Sequence, residues 1–128
     1  MNLIGRMRLT LKTGATVFGL SAVLLLLLPD FFLELLALES NPELVWSMRM
    51  IGVTLIALTG NMYVVVSAAP DAGVTRSAKV MLIAAGGLGI LTLAIPAELN
   101  WFSIAYAAVG FGFSAMYGTL LLLASRSR

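Results

Sequence analysis

The chain has 128 residues, of which 60% are hydrophobic and 11% charged, with a mean hydropathy of +1.01 and a formal net charge of +2. That composition excludes an ordinary soluble domain, and at roughly 20 residues per crossing the length holds about four membrane spans and no second domain. The chain contains no Cys and no His, so thiol redox chemistry, disulfides, iron–sulfur ligation, His-ligated haem and most transition-metal sites are removed, and no cofactor or metal is expected.

A first helix is expected over about 9–28, stopped by Pro29, which cannot continue it cleanly. Lys12 extends its apolar part by snorkelling to the headgroups. The basic start and apolar core resemble a signal peptide, but Leu27-Leu28-Pro29-Asp30 lacks a small-x-small cleavage pattern, so the helix is expected to be retained. The next stretch, about 30–39, is apolar apart from Glu34 and Glu39. It is too short to span, and with Asp30 as its N-cap it reads as a helix lying in the interface, the alternative being a kinked continuation of the first helix. Asn41-Pro42-Glu43 is a helix start, with a capping amide, Pro at the first position and an acid in the first turn. The helix that follows is expected over about 43–69. Pro70-Asp71-Ala72-Gly73 reads as a turn, the third span as about 76–95, and the fourth as about 98–124. The short connections predict that the last three spans pack as successive antiparallel neighbours.

Charge sets an orientation. Arg6, Arg8, Lys12, Arg76, Lys79, Arg126 and Arg128 fall on one side of these spans, while Asp30, Glu34, Glu39, Glu43 and Glu98 fall on the other. Asp71 and Arg49 are the exceptions. Cytoplasmic connections are enriched in Lys and Arg, so both termini are expected in the cytoplasm and the chain in the plasma (inner) membrane. The bias is too strong for a dual-topology transporter. The sequence pI of about 9.4 follows from the same bases and points to anionic headgroups rather than nucleic acid.

Two halves of the chain can be read as an internal repeat, the alternative being chance similarity between low-complexity apolar segments. Lys12 and Pro29 have the same spacing as Lys79 and Pro96, with Gly19 matching Gly86 at an offset of 67. Glu43-Leu44-Val45-Trp46 parallels Glu98-Leu99-Asn100-Trp101 at 55, and Met62-Tyr63 parallels Met116-Tyr117 at 54. The drop in offset amounts to an insertion in the first half, where the interfacial helix falls. Two parallel hairpins, of a kind found in transporters, would result.

Few residues suggest function. Arg49 lies about two turns into the second span, and Glu98 opens the fourth on the same side. They read either as a charge pair holding the two helices together or as an outer-leaflet site for an anionic headgroup or substrate. Asn61 lies deeper, about 120° round the helix from Arg49 at 100° per residue, and is expected to make an interhelical hydrogen bond. Gly110, Ser114 and Gly118 form a small-residue stripe for helix packing, as do Ala15 with Gly19 and Ala85 with Gly89. Trp46 and Trp101 form an aromatic belt. All six acids lie near interfaces, so no general base is available inside the membrane.

The order of features resembles small bacterial four-helix membrane proteins of the DoxX-like kind. The matching parts are Pro29-Asp30, the short apolar segment ending at Glu39, Arg49-Met50-Ile51-Gly52 and Arg76, spanning about 17–123. The resemblance implies a four-helix membrane protein, in some cases accompanying oxidoreductases or quinone chemistry, and it carries over no site residues. The resulting expectation is an all-α, four-helix transmembrane bundle over 1–128 with one interfacial helix on the outer side. Its expected function is a non-catalytic accessory or structural subunit of a larger membrane complex, an energy-transducing one among the candidates, partnered by the bilayer and by other subunits. The alternative is a small transporter or lipid- or quinone-binding protein using Arg49 and Glu98.

Overall fold

The computed structural model describes residues 2–127. Among them every regular element is helical: α1 Leu3–Leu27, α2 Pro29–Leu35, α3 Pro42–Ala68, α4 Asp71–Leu93 and α5 Trp101–Arg126. All but α2 are long and apolar enough to cross a membrane. Met1 and Arg128, the latter counted above among the bases, lie outside the described residues.

Local chemistry explains the helix ends, including those that differ from expectation. α1 starts six residues before the expected position 9 because Asn2 caps it, its Oδ1 accepting from Gly5 N at 2.7 Å. Arg6 and Arg8 are therefore on the helix rather than ahead of it. α2 ends at Leu35, short of 39. Ala37 takes a left-handed conformation with φ 58°, and Leu38 N donates back to Leu33 O at 3.0 Å, a helix-ending pattern that normally favours glycine. Asp30 is not the cap of α2. It lies in the first turn behind Pro29 and accepts from Ser40 Oγ. α3 begins as expected, with Asn41 Oδ1 accepting from Leu44 N at 2.8 Å.

A change of similar size is at α4, which begins at Asp71 rather than 76. Pro70 is its N-cap residue, and the Pro70 carbonyl accepts from Gly73 and Val74. Proline and an acid followed by small residues suit a turn and a helix N-terminus equally well. α5 starts at Trp101, not 98, because Asn100 caps it, accepting from Ser103 N at 2.9 Å.

α1 packs antiparallel along α3, and α4 packs antiparallel along α5. α1 is the central helix, since it also meets α4 and α5. The expected chain-order packing of the last three spans holds for α4 with α5 but not for α3 with α4. α3 and α4 are joined by Ala69 and Pro70 alone, yet they touch at few places, and α3 shares no packed face with α5. The alternation of direction collects Arg6, Arg8, Lys12, Arg76, Lys79 and Arg126 at one end of the bundle and five acids at the other.

The two hairpins are built on equivalent positions. Adding 67 to a position in α1 gives its counterpart in α4, and adding 55 to a position in α3 gives its counterpart in α5. Met7 and Val74 are equivalent and both buried, as are Leu11 and Ala78, and Met62 and Tyr117. The hydrogen bonds match too. Thr59 Oγ1 donates to Ala15 O at 3.3 Å, and its counterpart Ser114 Oγ donates to Leu82 O, the counterpart of Ala15, at 2.9 Å. Gly19 and Gly86 lie beside these hydroxyls, each leaving little space for a Cβ. The Met-Tyr match read from sequence is one residue out of this register. Tyr63 is exposed and shares a 2.9 Å hydrogen bond with Thr16, whereas Tyr117 is buried between the hairpins near Gly14.

The core around Met7, Leu11, Ala15, Met62, Met81 and Tyr117 lies toward the basic end. Toward the acidic end α3 and α4 splay. α2 is tied across to α5 there, with Phe32 edge-on to Phe102 at 5.9 Å and to Tyr106 at 6.0 Å, and with Asn100 Nδ2 donating to Leu35 O at 2.8 Å.

Candidate functional site

Arg8 is the most engaged polar residue in the fold. Its Nη1 donates to Val66 O at 2.7 Å, and its Nη2 donates to Ala69 O at 2.8 Å and lies 3.3 Å from Asp71 Oδ1. The reason lies in the sequence of α3. The carbonyl of residue 66 would ordinarily accept from the N–H of residue 70, but residue 70 is proline and has none. Arg8 supplies the missing donor and places a cation at the negative end of the α3 dipole. Sequence reading counted Arg8 only as an orientation charge. A proline two residues past the helix end, with an Arg one helix earlier at the same end, was the available signal.

Arg8–Asp71 is the one ion pair among the described residues, so the expected Arg49–Glu98 pair is not formed. Both residues are exposed. Arg49 is on α3 and Glu98 precedes α5, and those two helices have no common face. Hydropathy puts the two at a similar level along the spans, but α3 and α5 do not pack face to face.

Asn61 does not make an interhelical bond within this chain. Its Nδ2 donates to Ala57 O, on its own helix, at 2.9 Å, and the side chain is exposed. It lies on the side of α3 away from α1, with Trp46, Met50, Val53, Ala57 and Val64 exposed on the same side. A Cβ added at the neighbouring Gly60 would meet nothing within 4 Å.

Gly110, Ser114 and Gly118 lie against α4. A Cβ at Gly110 would fall 2.9 Å from Ala85 O and 3.1 Å from Gly89 N, and one at Gly118 would fall 3.4 Å from Leu82 Cδ1. Most other helical hydroxyls donate to the carbonyl four residues back, as Thr13 does to Leu9 at 2.9 Å and Thr54 to Met50 at 3.0 Å, which satisfies them where no water is available.

Several cavities lie between elements, two of them toward the ends of the bundle. The splay of α3 from α4 opens an apolar cleft of about 260 Å³, floored by Phe18 and Leu25, walled by Leu55 and Leu91, and bounded by Phe32 and Tyr106. Neither Arg49 nor Glu98 lines it. At the basic end a groove of about 200 Å³ lies between α4 and α5, lined by Thr75, Lys79, Leu121, Ala124 and Ser125. Among the described residues no group of His, Cys, Asp and Glu is arranged to hold a metal ion. No protein-family model, curated protein or solved structure matches the chain.

Proposed function

We propose that the chain is an integral membrane protein of the plasma membrane, with both termini on the cytoplasmic side, and that it acts as a non-catalytic subunit docking onto another transmembrane protein through the open side of α3. The observation that supports this reading is Asn61. A carboxamide facing hydrocarbon with an unused carbonyl oxygen costs roughly 1–3 kcal/mol, and a polar group at this depth ordinarily faces another helix or a wet cavity. Ala57 and Gly60 beside it allow a second helix to approach closely. α3 is also the least enclosed of the four long helices, burying only Gly52 and Met62. The absence of His and Cys from the chain is in keeping with a role by contact rather than by chemistry.

The test is site-specific photo-crosslinking in native membranes, with the crosslinker at Ala57 and a control at Ile83, which is exposed on α4. A partner captured at Ala57 and not at Ile83, and lost from gently solubilised Asn61→Leu protein, is the expected result. A chain that is monomeric with no crosslink at Ala57 overturns the reading. The apolar cleft favours a second reading, a protein that binds a hydrocarbon-tailed lipid or quinone. It differs from the Arg49–Glu98 site expected from sequence in placing the ligand between α3 and α4.

A further inference from the structure

The groove at the basic end of the second hairpin occupies the place that Arg8 fills in the first. By the offsets of 67 and 55, Arg8 corresponds to Thr75, Lys12 to Lys79, Val66 to Leu121, Ala69 to Ala124 and Pro70 to Ser125. The right-hand members of these pairs are the residues that line the 200 Å³ groove. In the first hairpin the guanidinium lies across the end of α3 and bonds Val66 O and Ala69 O. In the second, the proline that orphans a carbonyl and the arginine that serves it are both replaced. Ser125 carries a backbone N–H where Pro70 has none, and Thr75 is too short to cross. The space is left open.

We propose that this groove binds the phosphate of an anionic phospholipid from the leaflet at the basic end of the bundle. Charge complementarity selects that occupant. Lys79 lines the groove, Arg76 and Arg126 are exposed at the same end, and among the described residues none of the three side chains makes an ion pair or a hydrogen bond. The one acid at that end, Asp71, is already engaged by Arg8. The Thr75 and Ser125 hydroxyls donate to Asp71 O at 3.0 Å and Leu122 O at 2.8 Å on their own helices, and a charged phosphate oxygen is the stronger acceptor to which they can turn. Leu121 and Ala124 give the acyl chains an apolar path out of the groove. Basic pockets between transmembrane helices on the cytoplasmic side are suited to such headgroups.

The repeat supplies its own control. The protein is reconstituted into phosphatidylcholine vesicles with or without phosphatidylglycerol, insertion is first checked by flotation, and retained lipid is counted by native mass spectrometry. Failure to float would count against the membrane reading, not the groove. Wild type retains phosphatidylglycerol in preference to phosphatidylcholine, and Lys79→Gln lowers that preference about fivefold. Lys12→Gln, which removes the equivalent lysine beside the groove that Arg8 fills, leaves it unchanged. Thr75→Arg refills the empty groove with a side chain like Arg8 and abolishes the preference, although it adds a positive charge. Stronger retention in a Thr75→Arg protein that keeps its helical circular dichroism overturns the proposal in favour of diffuse attraction. So does an equal loss in Lys12→Gln and Lys79→Gln, which does not depend on the arginine variant folding. Full displacement of the lipid by inorganic phosphate would make this a free-anion site and overturn the lipid assignment.

Discussion

The two hairpins share a framework and differ in what closes their basic ends. In the first, Pro70 removes the N–H that Val66 O would have used, and Arg8 reaches across from α1 to replace it. In the second, Ser125 restores the N–H and Thr75 stops short, leaving a groove. One substitution without the other would leave either an orphaned carbonyl or an unneeded cation. A second difference is the α2 insertion, present only in the first half, which bridges to Phe102 and Tyr106 of the second. Equivalent positions thus keep equivalent packing roles, while the ends are free to diverge.

The comparison predicts its own most damaging substitution. Gly110→Ala should destabilise by about 1–3 kcal/mol, because the new methyl meets backbone atoms of α4 that cannot move without spreading the second hairpin. Gly60→Ala, on the open side of α3, should be within about 0.5 kcal/mol of wild type or slightly stabilising. Reversible unfolding in mixed micelles measures both, and equal effects would mean that the close approach of α4 and α5 is not a real constraint.

Comparable in size is the effect at the Arg8–Pro70 pair. Arg8→Ala should cost about 1–3 kcal/mol, as expected when a partly buried carbonyl loses a charged donor. In a Pro70→Ala background the same change should cost markedly less, since residue 70 then offers its own N–H to Val66. The coupling from a double-mutant cycle is the readout, and additivity would show that Arg8 acts through charge alone.

The smallest expected effect compares the matched hydroxyls. Thr59→Val and Ser114→Ala each remove one interhelical hydrogen bond, and each should cost about 0.5–1 kcal/mol. The longer bond, Thr59 to Ala15 at 3.3 Å, should matter less than Ser114 to Leu82 at 2.9 Å. A reversed order would mean that the register equating the hairpins does not extend to their energetics.

Much of the fold was legible from local chemistry. The start of α3 followed from Asn41-Pro42-Glu43, because a cap acts on backbone groups within its own turn. The start of α4 was missed because Pro70-Asp71-Ala72-Gly73 satisfies two local rules equally. The left-handed residue ending α2 was invisible, since Ala37 carries none of the signal that a glycine would have. For the candidate site, the small residues Gly110, Ser114 and Gly118 could be found from spacing alone, and their contact with α4 is a tertiary fact. The Arg49–Glu98 pair was inferred from depth, a coordinate that hydropathy supplies, but pairing also needs the angular position of each helix in the bundle, which hydropathy does not contain.

Sequence alone determined the class of protein, the number of long apolar helices, the segregation of basic and acidic residues between the two ends, and the offsets of a repeat. Each depends on composition or on residues within a few turns of one another. Only the tertiary structure decided that α1 is central, that Arg49 and Glu98 lie apart, that Asn61 faces outward, and that one basic end is closed while the other is open. Helices that are apolar all round carry no marked face, so small residues and rare polar groups choose the neighbours, and those choices appear only when all the helices pack together.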